Sequence, residues 1–109
     1  MSNTDPTAAL PLWEAIIRAR TSLPPDFLIV AREPFYLGAD AAYVELDGSR
    51  MPTAAREAGF SPFLDRHDLE KLLEDCDRKV MSDFSRAEYV IYYAINDAYP
   101  HWYDDLVDR

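Results

Sequence analysis

In 109 residues the chain carries 20 Asp and Glu against 11 Lys and Arg, a formal net charge of −9. Such a chain lacks the long-range positive field that draws proteins to phosphate backbones or anionic lipid, so the expectation is no direct DNA, RNA or membrane binding and a partner that is basic. With 49% apolar and 13% aromatic residues it lies far from the composition of disordered chains, and its length suits one domain, 1–109, with its first five residues expected to fray.

The start, MSNTDPTAAL, shows neither the basic nor the apolar segment of a signal peptide, and no apolar run approaches the roughly 18 to 20 residues that span a bilayer. A soluble, cytoplasmic protein is expected. Cys76 is the only cysteine, which rules out an intramolecular disulfide and a zinc site built on thiolates. The negative charge is unevenly spread. Residues 1–59 hold 8 acids and 5 bases, net −3, whereas residues 60–109 hold 12 acids and 6 bases, net −6.

Along the chain, Asp5-Pro6-Thr7 leads into a helical pattern with Pro11 in its first turn. Leu10, Trp13, Ile16 and Ile17 recur at amphipathic spacing and leave Glu14, Arg18 and Arg20 for solvent. Thr21 to Asp26, with Pro24 and Pro25, breaks the pattern, because proline disfavours helix at its own position and the one before. Phe27 to Ala31 is a continuous run of β-prone residues and predicts a buried strand. Phe35 to Gly38 and Ala42 to Leu46 predict two more, with Asp47-Gly48 as a turn, so a short antiparallel sheet of two or three strands is expected. Met51 to Ala58 predicts a short helix stopped at Gly59.

The rest reads helical. Leu69, Leu72, Leu73, Cys76 and Val80 fall on one face of a helix running from about Asp65 to Lys79. Ser85 and Glu88 have the spacing of a capping box for the next helix. Residues 88–95 of that helix are apolar nearly all round, which predicts a central position in the fold, although Tyr89 to Tyr93 taken alone would equally suit a strand. Tyr92 and Tyr93 cannot both point inward, so one of them is a contact candidate. Pro100 ends the helix, and a final helical turn follows. The fold class is α+β: an N-terminal helix, a short antiparallel sheet and a C-terminal helical region.

No phosphate loop, nucleophile elbow or zinc spacing names a chemistry. Glu70, Glu74 and Asp77 share one helix face, and carboxylates at i and i+4 lie about 6 Å apart, near the spacing of successive phosphates, a pattern a nucleic-acid mimic would present. The same helix offers a plainer account: Glu74 precedes Arg78 and Asp75 precedes Lys79 by four residues, the favourable order for ion pairs on a solvated face. Trp102, Tyr103, Asp104 and Asp105 set aromatics beside acids, which suits either an interface or a clasp that packs the chain end onto the core. His67 and His101 are too few for a metal phosphohydrolase site, and Cys76 on an apolar helix face suits a core residue. No cofactor or metal is expected.

The reading is a small non-enzymatic acidic protein that occludes a basic, nucleic-acid-binding surface of a partner protein, with Glu70, Glu74 and Asp77 for attraction and Trp102, Tyr103, Asp104 and Asp105 for anchoring. In size, acidity and lack of a catalytic motif the chain is similar to small phage-encoded inhibitors such as anti-CRISPR proteins, a group without a common fold. An immunity protein or secretion chaperone for a cognate toxin or effector would use the same surface. A small hydrolase or metal-binding enzyme built on His67 or His101 is the alternative of another class. An exposed tyrosine-rich helix would also serve a homodimer.

Overall fold

A computed structural model describes residues 9–22, 24–48 and 50–109. The fraying expected at residues 1–5 and the place of Leu23 in the first connection lie outside the described residues. Among these the chain is mixed α+β: β1 (Leu10–Pro11), α1 (Leu12–Ser22), β2 (Phe27–Ala31), β3 (Asp40–Glu45), α2 (Thr53–Glu57), β4 (Ser61–Asp65), α3 (Arg66–Asp77), α4 (Asp83–Asn96) and a 3₁₀ turn at His101–Tyr103. The strands form one antiparallel sheet in the order β1-β3-β2-β4, four strands in place of two or three.

The sheet separates two apolar layers. Ile29, Ala31, Ala41 and Phe63 face α1, α3 and α4, while Leu28, Val30, Ala42 and Val44 face Ala55 of α2 and Phe60. Strand β2 is therefore covered on both faces, the physical reason its sequence is apolar without alternation. Helix α1 buries Leu12, Ala15, Ile16 and Ala19 at i, i+3, i+4 and i+7. Pro11 sits in β1, immediately before the helix it is expected to begin.

Phe35–Gly38 is a loop, not the strand its composition predicts. The first-turn N–H groups of α1 lack intrahelical acceptors, and this stretch with the residue after it supplies them: Trp13 N donates to the Leu37 carbonyl at 3.0 Å and Leu12 N to the Ala39 carbonyl at 2.8 Å. The missing strand is found at Ser61–Asp65 instead. Pro62 argues against a strand in sequence, yet β4 lies at the sheet edge, where a lost donor is tolerated, and its register shifts between Ile29 and Val30.

Helix α2 stops at Gly59, whose φ of +91° suits glycine. A Cβ there would lie 2.5 Å from the Arg32 guanidinium. Arg32 in turn donates to the Ala58 carbonyl at 2.6 Å and lies over the Phe60 ring at 4.5 Å, fixing α2 against the sheet.

Asp65 caps α3 by accepting from the Asp68 N–H at 2.8 Å, and Leu69, Leu72, Leu73 and Cys76 are buried as the spacing predicts. Val80, the fifth member of that stripe, lies beyond the helix and is exposed, its N–H donating to the Val107 carbonyl at 2.8 Å. Helix α4 begins three residues earlier than the Ser85–Glu88 pairing predicts. Ser82 is the cap and accepts from the Ser85 N–H at 3.1 Å, which leaves Ser85 and Glu88 inside the helix. Nor is α4 enclosed. Ala87, Tyr89, Val90 and Ile91 are buried, while Phe84, Tyr92 and Ile95 stand in solvent. Of the adjacent tyrosines, Tyr92 is exposed and Tyr93 half-buried.

Candidate functional site

The three carboxylates of the α3 face have different fates. Asp77 lies at the junction of three helices. Its Oδ1 accepts from Arg20 Nη1 of α1 at 3.0 Å and from Arg86 Nη1 of α4 at 3.1 Å, while its other oxygen takes Arg20 Nη2. The hydrogen bonds from Arg20 lower the Asp77 pKa from its ordinary value. Arg86 is the one buried charged side chain among the described residues, so Asp77 is a structural counter-ion for it. Glu70 is held by Arg66, whose Nε donates at 2.8 Å. Glu74 is exposed and has no ion-pair partner among the described residues.

The intrahelical pairs Glu74–Arg78 and Asp75–Lys79 are absent. Lys79 reaches instead to Asp108 at 2.7 Å, and Asp75 accepts from the Tyr89 hydroxyl at 3.3 Å. Tertiary partners win because the C-terminal segment folds back along the end of α3: Val80 N donates to the Val107 carbonyl at 2.8 Å and Arg109 N to the Arg78 carbonyl at 3.0 Å.

Trp102 and Tyr103 belong to this clasp. Both are half-buried and pack on the core. The Tyr103 hydroxyl donates to the Asp75 carbonyl at 2.7 Å, and its ring centroid lies 5.1 Å from Tyr89 and 5.2 Å from Tyr99. Burial, with Asp75 nearby, raises the Tyr103 pKa. Asp104 and Asp105 remain exposed beyond it. The structure thus joins the two expected site groups through the Tyr103–Asp75 bond, with aromatics turned inward and aspartates outward.

A groove of about 560 Å³ runs between α3 and the end of α4. Asp68, Glu74, Asp75 and Asp97 line it with Lys71 as the one cation, over a floor of Leu64, Leu72, Tyr93 and Ala94. Asp97 arrives there because it ends α4 in the left-handed conformation, φ 54°, its N–H donating to the Tyr93 carbonyl. Sequence reasoning places Asp97 in the acidic region but gives no sign that it faces Asp68 across a groove.

His67 lines a shallow hollow with Pro25, Arg66 and Glu70, which does not include His101. Among the described residues no three His, Cys, Asp or Glu side chains converge as metal ligands. Cys76 is buried, and burial, with Asp75 and Asp77 beside it, pushes its thiol up to about 12 despite the opposing effect of Arg86. No described helix is long and apolar enough to cross a membrane.

A second surface includes Tyr92, one of the two tyrosines expected as a contact, but its loop wall is not foreseen from sequence. Loop residues Phe35, Tyr36 and Leu37 form one wall of an apolar groove of about 390 Å³, and Glu88, Ile91, Tyr92, Ile95 and Asn96 of α4 form the other. The available signal was the all-round apolar character of α4, which composition alone assigns to burial. Compared with known proteins, the chain matches no protein-family model, no curated protein and no solved structure.

Proposed function

We propose that the protein is a non-enzymatic acidic binder that occupies a basic surface of a partner protein, one that otherwise holds nucleic acid, and inhibits it by occlusion. The observation that carries this reading is the disposition of charge around α3. Arg20, Arg66, Lys79 and Arg86 around it are engaged by Glu70, Asp77 and Asp108, while Asp68, Glu74, Asp97, Asp104 and Asp105 have no ion-pair partner among the described residues, and Lys71 is the one cation set among the groove carboxylates. Carboxylates left unneutralised in this way keep their field for an incoming cationic surface, where they speed encounter and set orientation. Asp77 is removed from the contact set by its own arginines, and Trp102 and Tyr103 support the surface from beneath.

The test compares tagged wild type with the quadruple variant Glu70→Lys, Glu74→Lys, Asp104→Lys, Asp105→Lys in capture of partners from source cells across a salt series. The expected result is a basic nucleic-acid-binding protein retained by wild type at low salt, displaced by added DNA or RNA, and lost from the variant. Equal capture by both proteins, or capture of a single partner indifferent to salt and nucleic acid, overturns the reading; the latter is the behaviour of an immunity protein or chaperone.

A further inference from the structure

The apolar groove beside α4 is a different surface from the acidic groove, and its geometry selects an occupant. Glu88, Ile91 and Ile95 line the apolar groove at i, i+3 and i+7, two turns or about 10 Å, with Ile91 buried at its base, and Phe84 one turn earlier extends the apolar surface beyond the groove. Tyr36 from the loop is 58% exposed, Ile95 56%, Phe84 54% and Tyr92 38%, together an apolar patch of the order of 400 Å². The Trp13 ring lies 5.1 Å from Phe84 and carries the patch onto α1. A patch of this size is in the range of the largest that a typical monomer exposes, and such patches are often functional. The inward side of α4 already fills the core with Ala87, Tyr89, Val90 and Ile91, so no rearrangement of α4 hides the outer side without exposing the inner one.

The one charge within the groove is Glu88, exposed and without an ion-pair partner among the described residues. It argues against a second copy of this chain. Stacking Phe84 on Ile95 of a dyad-related helix sets each Glu88 against an apolar Ile91, removing two carboxylates from water without cations to pair them. The patch is also about half of the roughly 800 Å² per partner that stable interfaces bury, and each copy brings a net charge of −9.

We propose that this groove receives one short amphipathic helix of the partner protein, apolar side inward, with a lysine or arginine of that helix set against Glu88. The sign of the partner's charge rests on the acidic-binder reading; the groove, its length and its apolar lining do not. Helix-in-groove recognition reads anchors at i, i+3, i+4 and i+7, about two turns, the length over which Glu88, Ile91 and Ile95 line the groove.

The probe is a labelled 14-residue peptide of leucine and lysine with leucines at i, i+3, i+4 and i+7, set against a leucine–glutamate peptide of the same pattern, by fluorescence anisotropy. Ile95→Asp is the decisive variant. It removes an anchor but adds negative charge, so it strengthens a purely electrostatic association and weakens a groove-bound one. We expect the basic peptide to bind wild type, Ile95→Asp and Tyr36→Ala each to weaken it by about tenfold or more, and Glu88→Lys to weaken it also. Circular dichroism of these surface variants should match wild type. Equal or tighter binding by Ile95→Asp, equal binding of the acidic peptide, or no binding of the basic one overturns the proposal. So does a wild-type dimer in sedimentation that Ile95→Asp dissociates. In the capture experiment, a partner lost by the quadruple variant but kept at full yield by Ile95→Asp leaves the acidic-surface reading standing and removes this one; the converse removes the acidic surface and keeps the groove.

Discussion

Asp77 shows how one carboxylate is converted from a surface charge into a structural part. Its sequence neighbours suggest membership of an acidic row with Glu70 and Glu74, and helical spacing does place the three together. Its partners are Arg20, 57 residues away, and Arg86, nine away, and no local pattern announces either. Replacing Asp77 by Asn keeps the shape and leaves the buried Arg86 short of its counter-charge, which should cost about 2 kcal/mol at pH 7 in urea denaturation. The sign with pH follows from the lowered pKa. The unfolded chain binds the proton more readily, so the stabilisation is complete above the ordinary value of 3.8 and is lost as pH falls below it through the folded pKa. Asp77→Asn should therefore flatten the acid limb of the stability profile; an unchanged limb would mean that the two arginines do not hold this carboxylate in solution. Cys76, next to it, was legible: its place in the leucine stripe predicts burial, and burial pushes its thiol up to about 12. It should be inert to a disulfide reagent at pH 8 in the folded protein and react once urea unfolds the chain, whereas fast reaction in the native state would show α3 opening locally.

Among the elements, those with strong periodicity were legible and those defined by their neighbours were not. α3 follows from four spaced residues, Val80 falling past its end, and β2 from a run of apolar ones. β4 escaped because Pro62 is a strand-breaker in sequence and harmless only at an edge, a fact of topology. The 35–38 segment has strand composition, but its carbonyls are used by the start of α1. The beginning of α4 turns on which of two serines caps it. Ser82→Ala should cost about 1 kcal/mol, as loss of an N-cap does, while Ser85→Ala, inside the first turn, should cost a few tenths at most. A larger loss at Ser85 would restore the Ser85–Glu88 box as the true start. The acidic groove was half legible: Asp68 and Glu74 follow from the α3 pattern, but that Asp97 faces them depends on how α4 crosses α3.

Across the whole molecule the excess of negative charge opposes folding, because the compact state brings like charges together. In this fold Arg20, Arg66, Lys79 and Arg86 are committed to internal pairs, which leaves Lys71 and Arg78 to offset the carboxylates exposed along α3 and the C-terminal segment. A chain selected for stability alone would add further lysines to Lys71 there; repulsion only partly relieved at one surface is the pattern expected where a contact surface is kept at some expense to the fold. The quadruple variant tests this. Each reversal adds two positive charges, so four change the net charge from −9 to −1. Of the four positions only Glu70 has an ion-pair partner, Arg66, in an exposed pair worth little. The variant should lose its partner and yet melt at a higher temperature than wild type in about 20 mM salt. Adding salt to about 500 mM should raise the wild-type melting temperature and close most of the gap, since the Debye length then falls below the spacing of these charges. A variant that melts lower than wild type at both salt concentrations would show that the carboxylates serve the fold, and the acidic face would then be an ordinary solvated surface.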